Sequence, residues 1–367
     1  MRVSVSVTND LAADQRVHKV CSTLTQHGYT VRLIGRRMRN SPDLQRTYST
    51  FRMRLLFNSS FLFYAEYNIR LFFYLLLHPT DIYLANDTDT LLANWLAAVL
   101  HRKPLVFDAH EMFPEAPEIT HRKFVKSVWT KIEDLIFPRL KHCYTVCQSI
   151  ADIYNAKYGI SMQVVRNIPF AQTLTPPQNT LETGGKKVIL YQGAVNVGRG
   201  IEWVIDAMSY LDDFVFYVVG AGDILNELKT KTATMHLQDR VIFVGRVAFE
   251  QLPEYTQNAT VGVNLLDKSS LNYYYALPNR IFDYIRAQLP VVSVDFPEIQ
   301  RIVAHYRIGT LINHFEPDYL AEIIRQTAAQ PKNLSGFAAA NAELTWENEA
   351  QTLLKIFAES SVRPLEK

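Results

Sequence analysis

Short runs rich in valine and isoleucine alternate with longer segments of helical periodicity along the whole chain. This alternation is typical of parallel β-sheets whose strands are joined by crossover helices. The first half contains six such runs, RVSVSVT, YTVRLIG, DIYLAN, PLVFDA, HCYTVC and MQVVRN. The second half contains five, KVILYQG, FVFYVVG, RVIFVGR, TVGVNLL and PVVSVD. The pattern therefore predicts an α/β chain with two Rossmann-like, doubly wound parallel sheets.

The length of 367 residues exceeds what one ordinary hydrophobic core supports, which also favours two domains. We expect an N-terminal domain over residues 1–170 and a C-terminal domain over 186–343. Residues 171–185, polar with prolines and glycines, are the predicted linker. Residues from about 344 to 367 form a predicted helix with no strand after it. In two such domains the carboxyl ends of the strands, where ligands bind, would face a central cleft.

The overall charge and the cysteines restrict the class of protein. The net charge of +2 does not favour general nucleic-acid binding. Three cysteines without metal-ligand spacing predict packing roles in a reducing compartment. The N-terminus begins with a strand pattern instead of a signal peptide. We therefore expect a cytoplasmic protein with no nucleic-acid partner.

The most apolar stretch covers residues 55–78. Four polar residues interrupt it before it reaches the ~20 apolar residues that a bilayer requires, namely Asn58, Glu66, Asn68 and Arg70. The leading interpretation is a buried helix, and an interfacial helix comes second. Because Arg52, Arg54 and Arg70 lie among aromatic residues here, peripheral contact with the inner face of a membrane stays open beside core packing.

Glycine-rich turns follow the first strands of the second half. In YQGAVNVGRG, Gly193 would let the backbone approach a ligand closely, and Arg199 lies where the next helix starts and could bind a phosphate. A structural turn with a surface arginine is the alternative. VVGAGDILNEL contains Gly222 but has Leu225 where a dinucleotide fingerprint needs glycine, which disfavours a dehydrogenase. A weaker candidate, Arg246, ends the next strand.

The segment LPNRIFDY predicts a helix whose N-terminus lies next to a bound ligand. The first amides of a helix lack partners and carry the positive end of its dipole, so Leu277, Pro278, Asn279 and Arg280 could surround an anion. Asp283 would compete with that anion unless it binds another part of the same ligand. A nucleotide diphosphate has both parts, phosphates for the helix start and ribose hydroxyls for the carboxylate. A plain acid on the helix surface is the alternative.

Polar residues also end strands in the first half. VFDAHEMFPE follows a buried strand, which makes His110 and Glu111 candidates for contact with a reacting group. At the first strand–helix junction Asp10, Asp14 and Arg16 are candidates for acceptor or phosphate contact, with helix capping and surface pairing as the alternative.

The pair Asp87 and Asp89 could hold a divalent metal against a diphosphate. We favour a helix cap at Thr88 or Asp89 instead, and expect no metal site.

These segments together resemble family 4 glycosyltransferases, the retaining enzymes with the GT-B fold. Tyr275 and Asp283 occupy the two acidic positions of the family's E-x7-E motif, and LPNRIFDY is similar to an LPNK-F-EY variant of bacterial members. YQGAVNVGRG resembles the family's glycine turn, and GYTVRLIG, VFDAHEMFPE and HCYTVCQSIADIYNAKYG resemble its N-terminal domain. The resemblance spans nearly the whole chain, including the terminal helix, which in this family crosses back to the N-terminal domain.

The resemblance implies transfer of a sugar from a UDP-, GDP- or ADP-linked donor to a glycan or lipid-linked acceptor in cell-surface polysaccharide synthesis. It implies no organic cofactor. It places Arg199 on the diphosphate, Asp283 on the ribose and His110 on the reacting sugar. Three positions depart from the family pattern, Ala194, Tyr275 and Gln288. Two alternatives therefore stay open: a nucleotide-sugar epimerase of the same fold, and a non-catalytic subunit that binds the nucleotide-sugar.

Overall fold

The computed structural model describes residues 1–12, 14–116, 119, 122–171, 176–177 and 180–361. Within these residues the chain forms two compact α/β units. The first contains residues from Met1 to Asn167 together with the chain from Glu347 onward, and the second runs from Ile168 to Trp346. The predicted linker falls in the second unit, and its residues 172–175 and 178–179 lie outside the described residues.

The first unit is built on a seven-stranded sheet of parallel strands in the order β3-β2-β1-β4-β5-β6-β7. The strands are β1 Arg2–Asp10, β2 Thr30–Arg36, β3 Ser49–Met53, β4 Ile82–Asn86, β5 Leu105–Ala109, β6 His142–Thr145 and β7 Gln163–Val164. The helices are α1 Gln15–Gln26, α2 Ser60–Leu77, α3 Thr88–His101, α4 Lys123–Ile136 and α5 Gln148–Tyr158, with 3₁₀ turns at Phe113–Glu115 and Phe137–Arg139. The strand order reverses between β1 and β4, which in such sheets is where ligands bind.

The second unit has a six-stranded sheet, again parallel, in the order β10-β9-β8-β11-β12-β13. The strands are β8 Lys187–Gln192, β9 Phe214–Val219, β10 Val241–Gly245, β11 Val261–Asn264, β12 Val291–Val294 and β13 Gly309–Ile312. The helices are α6 Ile201–Ala207, α7 Leu225–Thr234, α8 Leu252–Asn258, α9 Leu271–Tyr274, α10 Asn279–Arg286, α11 Pro297–Tyr306, α12 Pro317–Ala329 and α13 Leu334–Glu343, with 3₁₀ turns at Met208–Tyr210 and Phe249–Gln251. The predicted fold class is confirmed: both sheets are doubly wound and parallel.

The last helix, α14 Trp346–Ser361, belongs to the first unit almost entirely. Arg166 anchors it through Glu349, which accepts hydrogen bonds from the Arg166 backbone N at 2.7 Å and from its Nε at 2.9 Å. The Tyr29 and Phe357 rings also meet edge to face. Residues 362–367 of the predicted terminal helix lie outside the described residues.

The prediction of a buried helix within residues 55–78 is half right. Helix α2 buries one side chain in every four, namely Phe63, Tyr67, Leu71 and Leu75. Much of the opposite face is apolar and exposed to solvent. The reason is composition: the segment is apolar all round, whereas only one face packs on the sheet. None of the described helices is long and apolar enough to cross a membrane.

Gln288 ends helix α10 in a conformation that favours glycine. Its φ is 52°, and the hydrogen bonds from Leu289 N to Tyr284 O (2.8 Å) and from Gln288 N to Ile285 O (3.1 Å) form a Schellman motif. A non-glycine residue in the left-handed region costs about 1 kcal/mol. This is the position where the family pattern has glycine.

We therefore expect Gln288→Gly to raise the free energy of unfolding of the second unit by about 1 kcal/mol, because glycine removes the left-handed strain. Urea denaturation followed by tryptophan fluorescence measures it. Gly159→Ala is the matched control in the first unit. Gly159 ends a helix at φ 66°, and an added Cβ would meet nothing within 4 Å, so the alanine should cost a similar amount through strain alone. A Gln288→Gly variant less stable than the parent would contradict the interpretation.

Candidate functional site

In the second unit, three turns at the carboxyl edge of the sheet are joined by backbone hydrogen bonds. Gly193 N donates to Val219 O (2.9 Å), Val195 N to Ala221 O (3.1 Å) and Gly220 N to Gly245 O (2.8 Å). The contact requires glycine at position 220, because a Cβ there would lie 1.8 Å from the Gly193 carbonyl oxygen.

Gly222 packs in the same way, since its Cβ would lie 2.2 Å from Val195 O. Gly220 and Gly222 thus both lie where a side chain would not fit. Their role is to let the turn after β9 pack against the turn after β8.

Arg280 lies over the first of these turns. The side chain is 6% exposed, and its guanidinium carbon is 4.2 Å from the centre of the Tyr191 ring. A Cβ on Gly193 would lie 3.2 Å from Arg280 Nη2, so the guanidinium sits against the glycine backbone. Arg280 Nη1 is buried and has no hydrogen-bond partner among the described residues. A buried charged donor left without a partner is costly, and it marks a place where an anion would be stabilised.

Arg199 is placed in a similar way at the end of the glycine turn. Its guanidinium carbon lies 4.6 Å from the centre of the Tyr273 ring, and its Nε is buried without a partner among the described residues. Gly198 leaves room for the Tyr273 ring, because a Cβ there would lie 2.8 Å from Tyr273 Cε2. Arg246, the third predicted basic residue of this unit, is exposed.

Helix α10 begins at Asn279, as the sequence predicts, and Pro278 is its N-terminal cap residue. The Pro278 side chain makes no capping bond, so the first amides of the helix depend on backbone partners, solvent or a ligand. Leu277 and Pro278 are half-buried, and Asn279 is exposed.

Asp283 is half-buried on α10 and accepts a hydrogen bond from Gln192 Nε2 at 2.7 Å. Gln192 Oε1 in turn accepts one from Thr256 Oγ1 at 2.9 Å. This chain of bonds fixes the Asp283 carboxylate to the end of β8, next to the glycine turn.

In the first unit, the fully buried carboxylate of Asp108 binds two cations. Arg16 donates to it from Nε at 3.0 Å and from Nη2 at 2.7 Å, and His110 Nε2 lies 3.1 Å from Asp108 Oδ2. Burial alone would raise the pKa of Asp108, but Arg16 and His110 outweigh it and hold the pKa at about 2. Asp108 is therefore ionised at neutral pH.

His110 lies between two carboxylates. Its Nδ1 is 3.3 Å from Asp87 Oδ2, and its backbone N donates to Asp87 Oδ1 at 2.8 Å. Burial alone would lower the pKa of His110, but the charges of Asp87 and Asp108 raise it to about 9. The ring is therefore an imidazolium at neutral pH, and both of its N–H groups are directed at carboxylates. Glu111, the neighbouring candidate, is half-buried.

Asp87 takes up a backbone conformation that is nearly confined to glycine, with φ 58° and ψ 165°. Strain of this kind persists only where surrounding contacts over-determine it. Here the Asp87 backbone N also donates to Asp108 O at 2.8 Å. The sequence offered no signal for this role, because the partners of Asp87 are 21 and 23 residues away in the chain.

The predicted helix cap at Thr88 or Asp89 is wrong. Helix α3 has Asp87 as its cap residue, without a side-chain capping bond. Thr88 instead donates to Glu133 Oε1 at 2.9 Å, and Asp89 Oδ2 accepts from Thr8 Oγ1 at 2.6 Å. Burial, with the nearby charge of Asp87, raises the pKa of Asp89 to about 8, so this carboxyl is protonated at neutral pH. Among the described residues no group of three or more histidine, cysteine, aspartate or glutamate side chains could hold a metal ion.

The three candidates at the first strand–helix junction are placed differently. Arg16 is 4% exposed, and its third nitrogen, Nη1, donates to Val165 O at 2.8 Å. All three guanidinium nitrogens of Arg16 therefore bond to residues of the first unit, two of them to Asp108. Asp14 caps α1 by accepting from Val17 N at 3.0 Å, as the capping alternative predicts. Asp10 is half-buried and accepts from Ala12 N and from Ser41 Oγ.

Two family profiles match the chain. Residues 13–169 match the one described as glycosyltransferase family 4, and residues 186–330 match glycosyl transferases group 1. No curated protein matches the chain by sequence.

Solved structures resemble the whole chain. Sucrose-phosphate synthase from Thermosynechococcus elongatus has a TM-score of 0.81 at 17% identity, over 98% of each chain. Anabaena HepE in complex with UDP-glucose has a TM-score of 0.74 at 15% identity, over 98% of this chain and 100% of that one. WaaG, a glycosyltransferase involved in lipopolysaccharide biosynthesis, has a TM-score of 0.70 at 14% identity, over 97% and 99%. At these identities the likeness establishes the GT-B fold.

The raised pKa of His110 predicts that the stability of the first unit depends on pH. The pKa of His110 is about 9, above the ordinary value of about 6.5. Its contribution to stability is therefore complete below pH ~6.5 and is lost as the pH rises through 9. In a proton NMR titration of the imidazole signals, His110 should remain charged at pH 7.5. His18 is the internal control, because burial lowers its pKa.

The variant Asp87→Asn should shift the titration of His110 to lower pH, because it removes one of the two charges that raise its pKa. It should leave the titration of His18 unchanged. An unchanged His110 titration in this variant would contradict the assigned electrostatics.

Proposed function

Because the chain belongs to the glycosyltransferases of family 4 and group 1, we propose that it transfers a sugar from a nucleotide-diphosphate-sugar to a hydroxyl group, with retention of anomeric configuration. The observation that carries the donor proposal is Arg280, a buried guanidinium whose Nη1 has no partner among the described residues. The Tyr191 ring and the Gly193 backbone hold this guanidinium in place before any ligand arrives. A diphosphate would supply both the missing acceptor and the missing negative charge.

The neighbouring groups suit the rest of the donor. Arg199, held on the Tyr273 ring, would bind the diphosphate as a second cation, and the backbone amide at the start of α10, at Asn279, would add a hydrogen bond. Asp283 would accept hydrogen bonds from the ribose hydroxyls, because Gln192 holds its carboxylate beside the glycine turn. The exposed Arg246 and the close-packed Gly222 would border the nucleotide.

We propose that His110 contacts the reacting sugar and that Glu111 lies beside that sugar. Since both ring N–H groups of His110 are directed at Asp87 and Asp108, the ring is a poor base and would act as a hydrogen-bonded cation. In the proposed transfer the bond from the anomeric carbon to the diphosphate oxygen breaks. The acceptor oxygen bonds to the same face of that carbon, and the acceptor proton passes to the leaving diphosphate. No organic cofactor or metal is proposed to take part.

The comparisons favour particular compounds to test first. Related structures of Anabaena HepE contain UDP, UDP-glucose, or UDP and glucose, so uridine nucleotides are the first donors, ahead of GDP- and ADP-sugars. WaaG functions in lipopolysaccharide biosynthesis, which supports a glycan or lipid-linked acceptor for cell-surface polysaccharide. Such a reaction would take place in the cytoplasm or at the inner face of the membrane.

Two substitutions test the donor site. Arg280→Met keeps an apolar stem against Tyr191 but removes the charge, and Asp283→Asn removes the carboxylate. Each should weaken nucleotide-sugar binding roughly 10- to 100-fold, the effect of losing one or two hydrogen bonds to a charged group. Isothermal titration calorimetry with the UDP-, GDP- or ADP-sugar that stabilises the parent measures this. The matched controls, Lys229→Met and Glu227→Gln, alter exposed charges on α7. Equal affinity in all four variants would place the donor elsewhere.

Product analysis separates transfer from the two alternatives. The proposed enzyme releases nucleoside diphosphate and, without an acceptor, hydrolyses the donor slowly. An epimerase would give a rearranged sugar, and a binding subunit would bind the nucleotide with no turnover. Transfer should persist in EDTA, whereas a loss restored by manganese would overturn the metal-free mechanism. Proton NMR of the new anomeric linkage decides between retention and inversion.

A further inference from the structure

Helix α2 presents a second apolar face to solvent. Side chains four or eight residues apart form a stripe along it: Phe61 is 71% exposed, Ile69 58%, Phe73 56% and Leu77 74%. The loop before the helix adds two further exposed apolar side chains, Leu56 and Phe57. The opposite face of the helix is already packed in the core of the first unit. The stripe is therefore not needed for that packing. A contiguous apolar surface of this kind marks an interaction site.

A pocket of about 480 Å³ opens beside this stripe, between α2 and the edge strand β3. Its lining consists of arginines, aromatic residues and apolar residues, with no acid: Phe51, Arg52, Met53, Arg54, Ile69, Arg70, Phe73 and Tyr74. Two stripe residues, Ile69 and Phe73, therefore also form part of the pocket wall. Positive charge and apolar surface meet at one place.

The three arginines differ in how far they are neutralised. Arg52 is mostly buried, donates to Pro42 O at 2.8 Å and lies 3.9 Å from Asp10. Arg70 pairs with Glu66 at 2.7 Å, but Glu66 also accepts hydrogen bonds from the backbone N of Leu56 and Phe57. Arg54 is exposed and forms no ion pair with the described residues. A positive charge is thus left at the mouth of the pocket.

These observations select one occupant, an anionic lipid surface. A helix that lies in the membrane interface needs an apolar face for the acyl region and basic residues for the phosphate groups. No described helix can cross a membrane, so α2 would lie along the surface. A second copy of the chain fits poorly, because a two-fold contact through this face would set its arginines against each other.

We propose that the stripe on α2 and the pocket at Arg54 and Arg70 form a binding site for anionic phospholipid. The pocket would take a phosphate headgroup while Ile69, Phe73 and Leu77 enter the acyl region. The site consists of residues of the first unit alone, and it shares no residue with the proposed donor site. The inference therefore goes beyond sugar transfer and does not depend on it.

Co-sedimentation of the full chain with vesicles tests the proposal. The protein should bind vesicles of phosphatidylcholine mixed with phosphatidylglycerol, bind pure phosphatidylcholine much less, and dissociate as salt is raised. Arg54→Glu should weaken the partition about 30-fold, since each cation at such a surface contributes about fivefold and reversal counts twice. Lys229→Glu, the same charge change on an exposed helix of the second unit, is the control.

Ile69→Ser tests the apolar half of the site. It should weaken vesicle binding about tenfold. Leu334→Ser is the matched control, because Leu334 is equally exposed, at 58%, in the second unit. Both test variants should keep the parent's thermal shift with nucleotide-sugar, which separates failure of this site from failure of the donor site.

Four results would overturn the proposal, the last of them strong competition by inorganic phosphate. The first is parent protein that fails to sediment with anionic vesicles. The second is equal binding by Arg54→Glu and Lys229→Glu. The third is a dimer in size-exclusion chromatography that Ile69→Ser converts to monomer, which would make this face a contact between two copies. Inorganic phosphate in the assay should compete no better than chloride at equal ionic strength, and strong competition would indicate a site for free phosphate.

Discussion

Asp108 carries a negative charge with none of its surface open to water, and the polar part of the first unit is arranged around it. An unpaired charge at such a position would cost a large desolvation free energy. Arg16 compensates the charge by donating two hydrogen bonds to Asp108. His110 shares the same carboxylate and is kept charged by it together with Asp87. The strained backbone of Asp87 follows from this arrangement, because its amide donates to Asp108 O on β5 while its side chain accepts from His110 N just after that strand. One buried charge thus determines the setting of a histidine, an arginine and a strained turn.

In the second unit, packing of the backbone shapes the candidate donor site. Its carboxyl-edge turns meet so closely that Gly220 and Gly222 leave no room for a side chain. The result is a surface of peptide groups beside which the Arg280 guanidinium packs on the Tyr191 ring. A guanidinium held in this way loses little rotational freedom when it binds an anion, which suits a site that must bind and release a nucleotide repeatedly.

Local patterns made much of the fold predictable. The buried runs of valine and isoleucine gave eleven strand positions, and proline before Asn279 marked the start of α10. The strands β3 and β13 were missed, since Ser49–Met53 and Gly309–Ile312 are short edge strands without a continuous β-branched run. The cap at Thr88 or Asp89 failed for another reason. Both side chains bond to residues far away in sequence, and only the order of strands in the sheet brings those partners close.

The last helix has a consequence for how the protein is made. Arg166 closes the first unit by binding Glu349, so that unit contains both the beginning and the end of the described chain. During synthesis on a ribosome the second unit is complete as soon as Trp346 has emerged. The first unit, although it starts earlier, stays unfinished until α14, which follows the second unit in the chain, has also emerged. The two units are therefore completed in the reverse of the order in which their first residues are translated.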